Sequence, residues 1–212
     1  MTELGGAGNI GKWLTDNAER LPDRTAMRFE DGDSWTYQEL DGWVDAIAVR
    51  LRAGHGVARG DRVAYLGFNH PGMVALLFAC ARLGAVLVPL NWRLTANELA
   101  YMVVDCEPKV LYFDAAHEDN AEYAAGAADN CILQSIQSLE EVNARPESTQ
   151  IGGSLSDPVL IIYTSGTTGR PKGAMLTQQA LLTNAQNSID LHRMTSDDRV
   201  LVVLPLFHVG GL

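Results

Sequence analysis

Residues 163–176 read YTSGTTGRPKGAML, and this stretch decides how the rest of the chain is interpreted. The apolar run PVLIIY at residues 158–163 predicts a buried strand that leads directly into it. The chain then changes to small and hydroxylic residues, which are Thr164, Ser165, Gly166, Thr167, Thr168 and Gly169. Glycine lets backbone N–H groups curl around an anion, and hydroxyl groups donate to its oxygens. Because Lys172 adds a positive charge behind Pro171, the stretch predicts a phosphate-binding loop.

Two other interpretations of this loop are weaker. An ordinary turn needs one or two special residues, whereas this stretch has a continuous run of them followed by a lysine. A Walker A loop has four residues between its glycines and ends in Gly-Lys-Ser or Gly-Lys-Thr. Here two residues separate Gly166 from Gly169, and Arg170-Pro171 precedes Lys172. The sequence therefore predicts a phosphate site of another kind.

Upstream of the loop, predicted strands and helices alternate. The signal Asp31-Gly32-Asp33 predicts a hairpin between strands 25–30 and 34–36. Thr36 is a predicted helix cap, and Thr95 with Glu98 predicts a capping box. The predicted helices are 10–19, 37–52, 71–83, 95–105 and 118–128, and the predicted strands are 62–68, 85–90, 109–113 and 131–134. This alternation predicts an α/β fold with a mostly parallel sheet flanked by helices.

The segments around and after the loop continue the pattern. Residues 143–156, NARPESTQIGGSLS, have no periodicity and predict a surface linker. After the loop we predict a strand at 173–176, a helix at 178–191 that begins at Thr177, and a strand at 199–204.

The loop resembles the phosphate-binding signature of the adenylate-forming enzymes, which include acyl-CoA synthetases, luciferases and peptide-synthetase adenylation domains. Two more segments resemble family segments in the same order, LGAVLVPLN at 83–91 and PLFHVGGL at 205–212. Within the superfamily, NWRL at 91–94 and ELAY at 98–101 are most similar to fatty-acyl-CoA synthetases. The resemblance implies that residues 1–212 are part of the large N-terminal domain of an AMP-forming acyl-CoA synthetase.

The resemblance also implies the chemistry. The intact enzyme is expected to activate a medium- or long-chain fatty acid with ATP and Mg²⁺ to an acyl-adenylate, then to form acyl-CoA with coenzyme A. Such a site must supply cations and donors where negative charge develops. Lys172 is a catalytic candidate, and the hydroxyl of Thr167 is expected near Mg²⁺. The residues expected to bind the nucleotide phosphates are Thr164, Ser165, Gly166, Thr167, Thr168, Gly169 and Lys172.

His208 is the second catalytic candidate, because the corresponding histidine of the family lies near the acyl carboxylate and the adenylate phosphate. The alternative is a hydrogen-bonded core histidine beside Phe207. Asn91 and Arg93 follow the carboxyl end of a predicted strand, where ligands of open α/β sheets gather. A surface ion pair between Arg93 and Glu98 explains Arg93 equally well. Structural roles are predicted for the other histidines, which are His55, His70, His117 and His192.

Composition limits the partners and the compartment. The formal net charge of −10, without any basic run, argues against nucleic acid and anionic membranes. Cys80, Cys106 and Cys131 are odd in number and widely spaced, which indicates reduced thiols in a cytoplasmic protein. The longest apolar stretch, Met73 to Ala81, is too short to cross a bilayer, so no membrane insertion is predicted, and peripheral association stays open.

Later motifs of the family do not occur in the sequence. We therefore expect an N-terminal fragment without the C-terminal small domain, inactive alone and prone to self-association through its apolar end at residues 201–212. A different class of protein is also open, namely a naturally short, non-catalytic binding or interaction module. Within the family, an aryl acid or an amino acid is the alternative substrate.

Overall fold

A sheet of six strands forms the centre of the part of the chain that the structure describes. The computed structural model describes residues 8–30, 32–140, 152–164, 170–208 and 210–211. The helices are α1 (Gly11–Arg20), α2 (Tyr37–Val49), α3 (Pro71–Leu83), α4 (Ala96–Cys106), α5 (Glu118–Gly126) and α6 (Gln178–His192). The strands are β1 (Thr25–Arg28), β2 (Ser34–Thr36), β3 (Arg62–Leu66), β4 (Val86–Leu90), β5 (Val110–Phe113), β6 (Ile132–Ser135), β7 (Pro158–Thr164) and β8 (Lys172–Thr177).

The central sheet has the strand order β6-β5-β3-β4-β7-β8. Strands β3 to β7 are parallel, and β8 pairs antiparallel with β7. Strands β1 and β2 form a separate antiparallel pair, as the hairpin signal predicts. The α/β fold with a mostly parallel sheet between helices is therefore confirmed.

Helices cover both faces of the sheet. Successive residues of a strand point to opposite sides, so each strand contributes to two cores. Val63 and Tyr65 of β3 pack with α1, α2 and α3 in one apolar core. Ala64 and Leu66 of the same strand pack with α4 and α5 in a second core. The parallel strands are accordingly apolar on both faces, which explains their continuous hydrophobic sequence.

Local signals in the sequence set the helix boundaries. Thr36 forms a capping box with Glu39 at the start of α2, and Thr95 forms one with Glu98 at the start of α4. Pro71 stands in the first turn of α3, and the side chain of Thr177 caps α6. Each of these side chains satisfies or removes an N–H group that a helix start leaves without a partner.

One predicted element is wrong. Residues 199–204 form no strand, and their apolar side chains are exposed, with Leu201 at 84% and Val203 at 75%. An apolar run becomes a strand only when another strand accepts its backbone hydrogen bonds, and no described strand lies beside this one. The predicted self-association through this end stays a prediction.

The predicted linker at 143–156 lies mostly outside the described residues. In its described end, the N–H groups of Gly152 and Gly153 donate to the carbonyl of Arg82 at 2.8 and 3.0 Å. Residues 152–153 therefore lie against the end of α3.

The order of the strands creates a crevice. From β3 the chain passes through α3 to β4 on one face, and from β4 it passes through α4 to β5 on the other face. The loops that follow β3 and β4 consequently diverge at the carboxyl ends of two neighbouring strands. Open α/β sheets bind ligands in such a crevice, so the search for a site begins at this edge.

Candidate functional site at the carboxyl edge of the sheet

The two ends of the predicted phosphate loop lie at this edge. Thr164 is the last residue of β7, Lys172 is the first residue of β8, and the two residues face each other across the hairpin. Both side chains are exposed. Residues 165–169, which include Ser165, Gly166, Thr167, Thr168 and Gly169, lie outside the described residues.

Lys172 is available for an anion. Within the described part of the chain, no carboxylate forms an ion pair with it. An exposed ammonium group at the mouth of a hydroxyl- and glycine-rich loop can donate charge-assisted hydrogen bonds to phosphate oxygens.

Tyr163 holds the hairpin that carries the loop. Its hydroxyl donates to the Asp105 carboxylate of α4 at 2.6 Å. Burial, together with this hydrogen bond, raises the pKa of Tyr163, so the hydroxyl stays a donor. Across the hairpin stands Gly173, where an added Cβ would come within 2.7 Å of Ile161 and 3.5 Å of the Tyr163 ring. The close packing of these strands fixes the position from which the loop departs.

Asp114 links the ends of two other strands. One carboxylate oxygen accepts the N–H of Phe68, after β3, at 2.7 Å, and the other lies 2.5 Å from Nδ1 of His117. The hydroxyl of Tyr65 donates to the carbonyl of Phe68 at 2.7 Å. A Cβ on Gly67 would approach the Tyr65 hydroxyl within 2.5 Å and Asp114 within 2.7 Å, so any other residue there would displace these two side chains.

An aromatic cluster lies above this network. We define the cluster as Phe68, Trp92, His117 and Phe207. The rings of Phe68 and Trp92 meet edge to face at 4.8 Å, and His117 contacts Phe68 at 4.9 Å and Trp92 at 5.8 Å. Phe207 meets Trp92 at 6.4 Å and completes the cluster.

Asn91 and Arg93, which follow β4, make different contacts in the structure. The side chain of Asn91 accepts the N–H of Arg93 at 3.0 Å and so shapes the turn after the strand. The guanidinium of Arg93 lies over the Trp92 ring at 4.9 Å, whereas Glu98 is engaged in the capping box with Thr95. The alternative pair between Arg93 and Glu98 is therefore absent from the described ion pairs.

His208 is brought to the same edge. The side chain of Asn69, after β3, donates to the carbonyl of Leu204 at 3.0 Å and accepts the N–H of Leu206 at 2.8 Å. Leu206 and Phe207 are buried, and the exposed His208 ring lies 5.7 Å from the Phe207 ring. The alternative that His208 is a core histidine is wrong, because His208 is exposed and the buried residues are Leu206 and Phe207.

Sequence reasoning missed Asn69, Asp114 and the placement of His117 in the aromatic cluster. Asp114 follows a predicted strand by one residue, and the carboxyl ends of parallel strands meet at one edge, so that position was a usable signal. Asn69 gave no such signal, because its partners lie 135 and 137 residues away.

The described residues contain no group of three or more His, Cys, Asp or Glu side chains arranged to hold a metal ion. Among the helices in the described ranges, none has both the length and the apolar character needed to cross a bilayer. All three cysteines are free; Cys80 and Cys106 are buried, and Cys131 is partly buried. Burial raises the pKa of both thiols to about 12.

These features define an α/β domain in which the β7–β8 hairpin, with the predicted phosphate loop between its strands, and an exposed histidine lie at the crevice of the sheet. The family model for AMP-binding enzymes matches residues 14–212, and the chain belongs to this family.

The relatives of this chain include CoA ligases of several acids. The chain is 46% identical to indoleacetate–CoA ligase of Aromatoleum aromaticum, over 96% of this chain and 41% of that protein. It is 42% identical to feruloyl-CoA synthase of an Amycolatopsis species, over 96% of this chain and 40% of that protein. The chain thus spans about two fifths of the length of these curated relatives.

A solved structure has the same fold. This is o-succinylbenzoate coenzyme A synthetase from Bacillus subtilis in complex with ATP and magnesium ion. It superposes with a TM-score of 0.79 at 30% identity, over 94% of this chain and 52% of that chain.

Proposed function

We propose that the protein containing this chain is an AMP-forming acid–CoA ligase. A carboxylate oxygen of the acid attacks the α-phosphorus of ATP and pyrophosphate leaves; the thiol of coenzyme A then attacks the acyl carbon and AMP leaves. The observation that carries this proposal is the exposed Lys172 opposite Thr164 at the ligand edge of the sheet, in a chain of the AMP-binding enzyme family. Residues 1–212 are then part of the N-terminal domain, with 163–176 as its phosphate-loop region and 143–156 as a surface linker.

The roles of the residues follow from their chemistry. The hydroxyl and N–H groups of residues 164–169 bind the β- and γ-phosphates, and Lys172 neutralises part of their charge. A bound Mg²⁺ supplies further charge neutralisation, and the hydroxyl of Thr167 is the group of this chain assigned to it. His208 orients the carboxylate of the acid, since its exposed ring stands at the crevice.

We propose an aromatic carboxylic acid as the substrate. This is the aryl alternative, and it is supported by relatives at 46% and 42% identity whose names specify indoleacetate and ferulate as substrates. A medium- or long-chain fatty acid is the second candidate, because NWRL at 91–94 and ELAY at 98–101 resemble fatty-acyl-CoA synthetases.

The test uses the protein as its source organism produces it. Its intact mass is measured first, and a mass close to the 23.0 kDa of this chain would overturn the ligase proposal in favour of a non-catalytic module. Acid-dependent exchange of pyrophosphate into ATP and formation of acyl-CoA are then assayed with indoleacetate, ferulate, octanoate and hexadecanoate. We expect kcat/KM for an aromatic acid to exceed that for the fatty acids by on the order of tenfold or more. A reversed order would assign the fatty acid, and no activity with any of the four would contradict the proposal as made.

Lys172→Ala tests the phosphate site. Loss of one charge-assisted hydrogen bond costs about 1.5–3 kcal/mol, which lowers kcat/KM for ATP roughly 10- to 150-fold. Lys12→Ala is the matched control, because Lys12 lies on α1 and pairs with Asp16 at 2.6 Å. Equal kinetics of the two variants would remove Lys172 from the site.

A further inference from the structure

We propose that Asn69 is a positioning residue that sets the location of His208 for the reaction. This inference rests on the proposed function, since it concerns the histidine assigned to the acid carboxylate. Asn69 does not touch the reacting groups in this assignment; it acts through the backbone of the segment that carries His208.

The residues just before His208 are exposed as far as Leu204 in the described chain. Residues 199–204 pair with no described strand, and the apolar side chains of residues 200–204 are exposed, from 49% at Val202 to 84% at Leu201. Burial begins only at Leu206 and Phe207, at 7% and 8% exposure. The contact with the domain is therefore made at residues 204–207.

Asn69 makes this contact with both ends of its amide group. Its NH₂ group donates to the carbonyl of Leu204 at 3.0 Å, and its carbonyl oxygen accepts the N–H of Leu206 at 2.8 Å. A primary amide is the side chain that offers a donor and an acceptor side by side, as a strand neighbour does. The single side chain thus binds the backbone of both residue 204 and residue 206.

The position is transmitted to His208 by a compact segment. The N–H of His208 donates to the carbonyl of Pro205 at 3.1 Å, and the N–H of Gly211 donates to the carbonyl of His208 at 2.8 Å. A Cβ on Gly211 would stand only 2.4 Å from the carbonyl oxygen of Pro205. Because the N–H of His208 is bonded to Pro205, a shift at residues 204–206 moves His208 with it.

Asn69 itself is exposed, so the effect of its truncation on the reaction rate can be separated from the effect on stability. Water replaces lost hydrogen bonds at an exposed site, so stability changes little, whereas a misplaced catalytic group lowers the rate steeply. We expect Asn69→Ala to lower kcat/KM for the acid on the order of tenfold. We expect Asn69→Asp to have at least this effect, because its carboxylate faces the carbonyl of Leu204.

The experiment is a double-mutant cycle in the protein as its source organism produces it. Acid-dependent exchange of pyrophosphate into ATP is measured for the wild type, Asn69→Ala, His208→Ala and the double variant, with thermal unfolding of each. If Asn69 acts through His208, the double variant is no slower than His208→Ala alone. Asn187→Ala, an exposed asparagine on α6, is the matched control and leaves the exchange rate unchanged.

The outcomes separate the two proposals. Absence of exchange in the wild type with every acid contradicts the proposed function. An active wild type with an unaffected Asn69→Ala variant overturns only the role of Asn69, as does a double variant whose losses multiply. A fall in melting temperature with unchanged kinetic constants per folded molecule would make Asn69 merely structural and likewise overturn its positioning role.

Discussion

Gln178 offers the sharpest test of how the described fold is held together. Its side chain is fully buried at the start of α6 and connects two distant segments. The amide oxygen accepts the N–H of Ile10 at 2.8 Å, and the NH₂ group donates to the carbonyl of Ala81 at 3.0 Å. Substitution to methionine keeps the approximate volume and removes both hydrogen bonds. The change in stability therefore reports the loss of the hydrogen bonds and not a change in packing.

The magnitude follows from what each partner loses. The buried N–H of Ile10 is left without an acceptor, which costs about 1–3 kcal/mol. The carbonyl of Ala81 keeps a longer hydrogen bond from Gly84 at 3.4 Å, so its loss is smaller. Together, Gln178→Met is expected to lower the free energy of unfolding by about 2–4 kcal/mol. For a domain of this size that is a fall of about 5–15 °C in Tm.

The assay is equilibrium unfolding in urea, followed by circular dichroism. Gln179→Met is the matched control, because Gln179 is the exposed neighbour and its side-chain amide donates to the hydroxyl of Thr183 at 3.3 Å. The control is expected to stay within about 0.5 kcal/mol of the wild type. If Gln178→Met were no less stable than Gln179→Met, the buried amide would not connect these segments and the reasoning would be refuted.

Two further predictions concern buried charge and pH. Arg82, 1% exposed, pairs with Asp41 and with Asp45, the latter at 2.6 Å, so Arg82→Met removes the buried cation of both ion pairs and is expected to cost about 3–5 kcal/mol in urea unfolding. A loss below that of Gln178→Met would contradict it. Burial, with Arg50 nearby, lowers the pKa of His55 below 6.5, so the unfolded chain takes up the proton first and stability falls as pH drops below 6.5. His55→Gln should flatten this dependence between pH 7.5 and 5.5, and an unchanged slope would count against it.

Much of the fold follows from local signals that the sequence contains. The caps at Thr36 and Thr95, Pro71 at a helix start and continuous apolar strands each predict an element that the structure has. The boundaries differ by a few residues at most, since helix ends are decided by the last hydrogen bonds that form. The predicted strand at 199–204 is wrong, because a strand forms only beside a partner strand and the local sequence does not specify that partner.

The candidate site could be predicted only in part, and the topology explains which part. A phosphate loop is recognised from consecutive residues, and parallel strands place all their carboxyl ends at one edge, so Thr164, Lys172 and the turn after β4 are expected together. His117 was assigned a structural role because its spacing fits no metal site. Its place in the aromatic cluster comes from Asp114, which follows β5 and fixes the ring from below.

The tether of Asn69 to residues 204–206 shows why the remainder is invisible in the sequence. Asparagine after a strand is common in turns, and its amide satisfies local N–H groups as readily as distant ones. Here the turn after β3 points the side-chain amide of Asn69 toward Leu204, which lies 135 residues later in the sequence. The segment around Leu204 has no strand partner in the described chain. Long-range polar contacts of this kind are set by what the fold leaves unsatisfied, so they become predictable only when the strands have been placed.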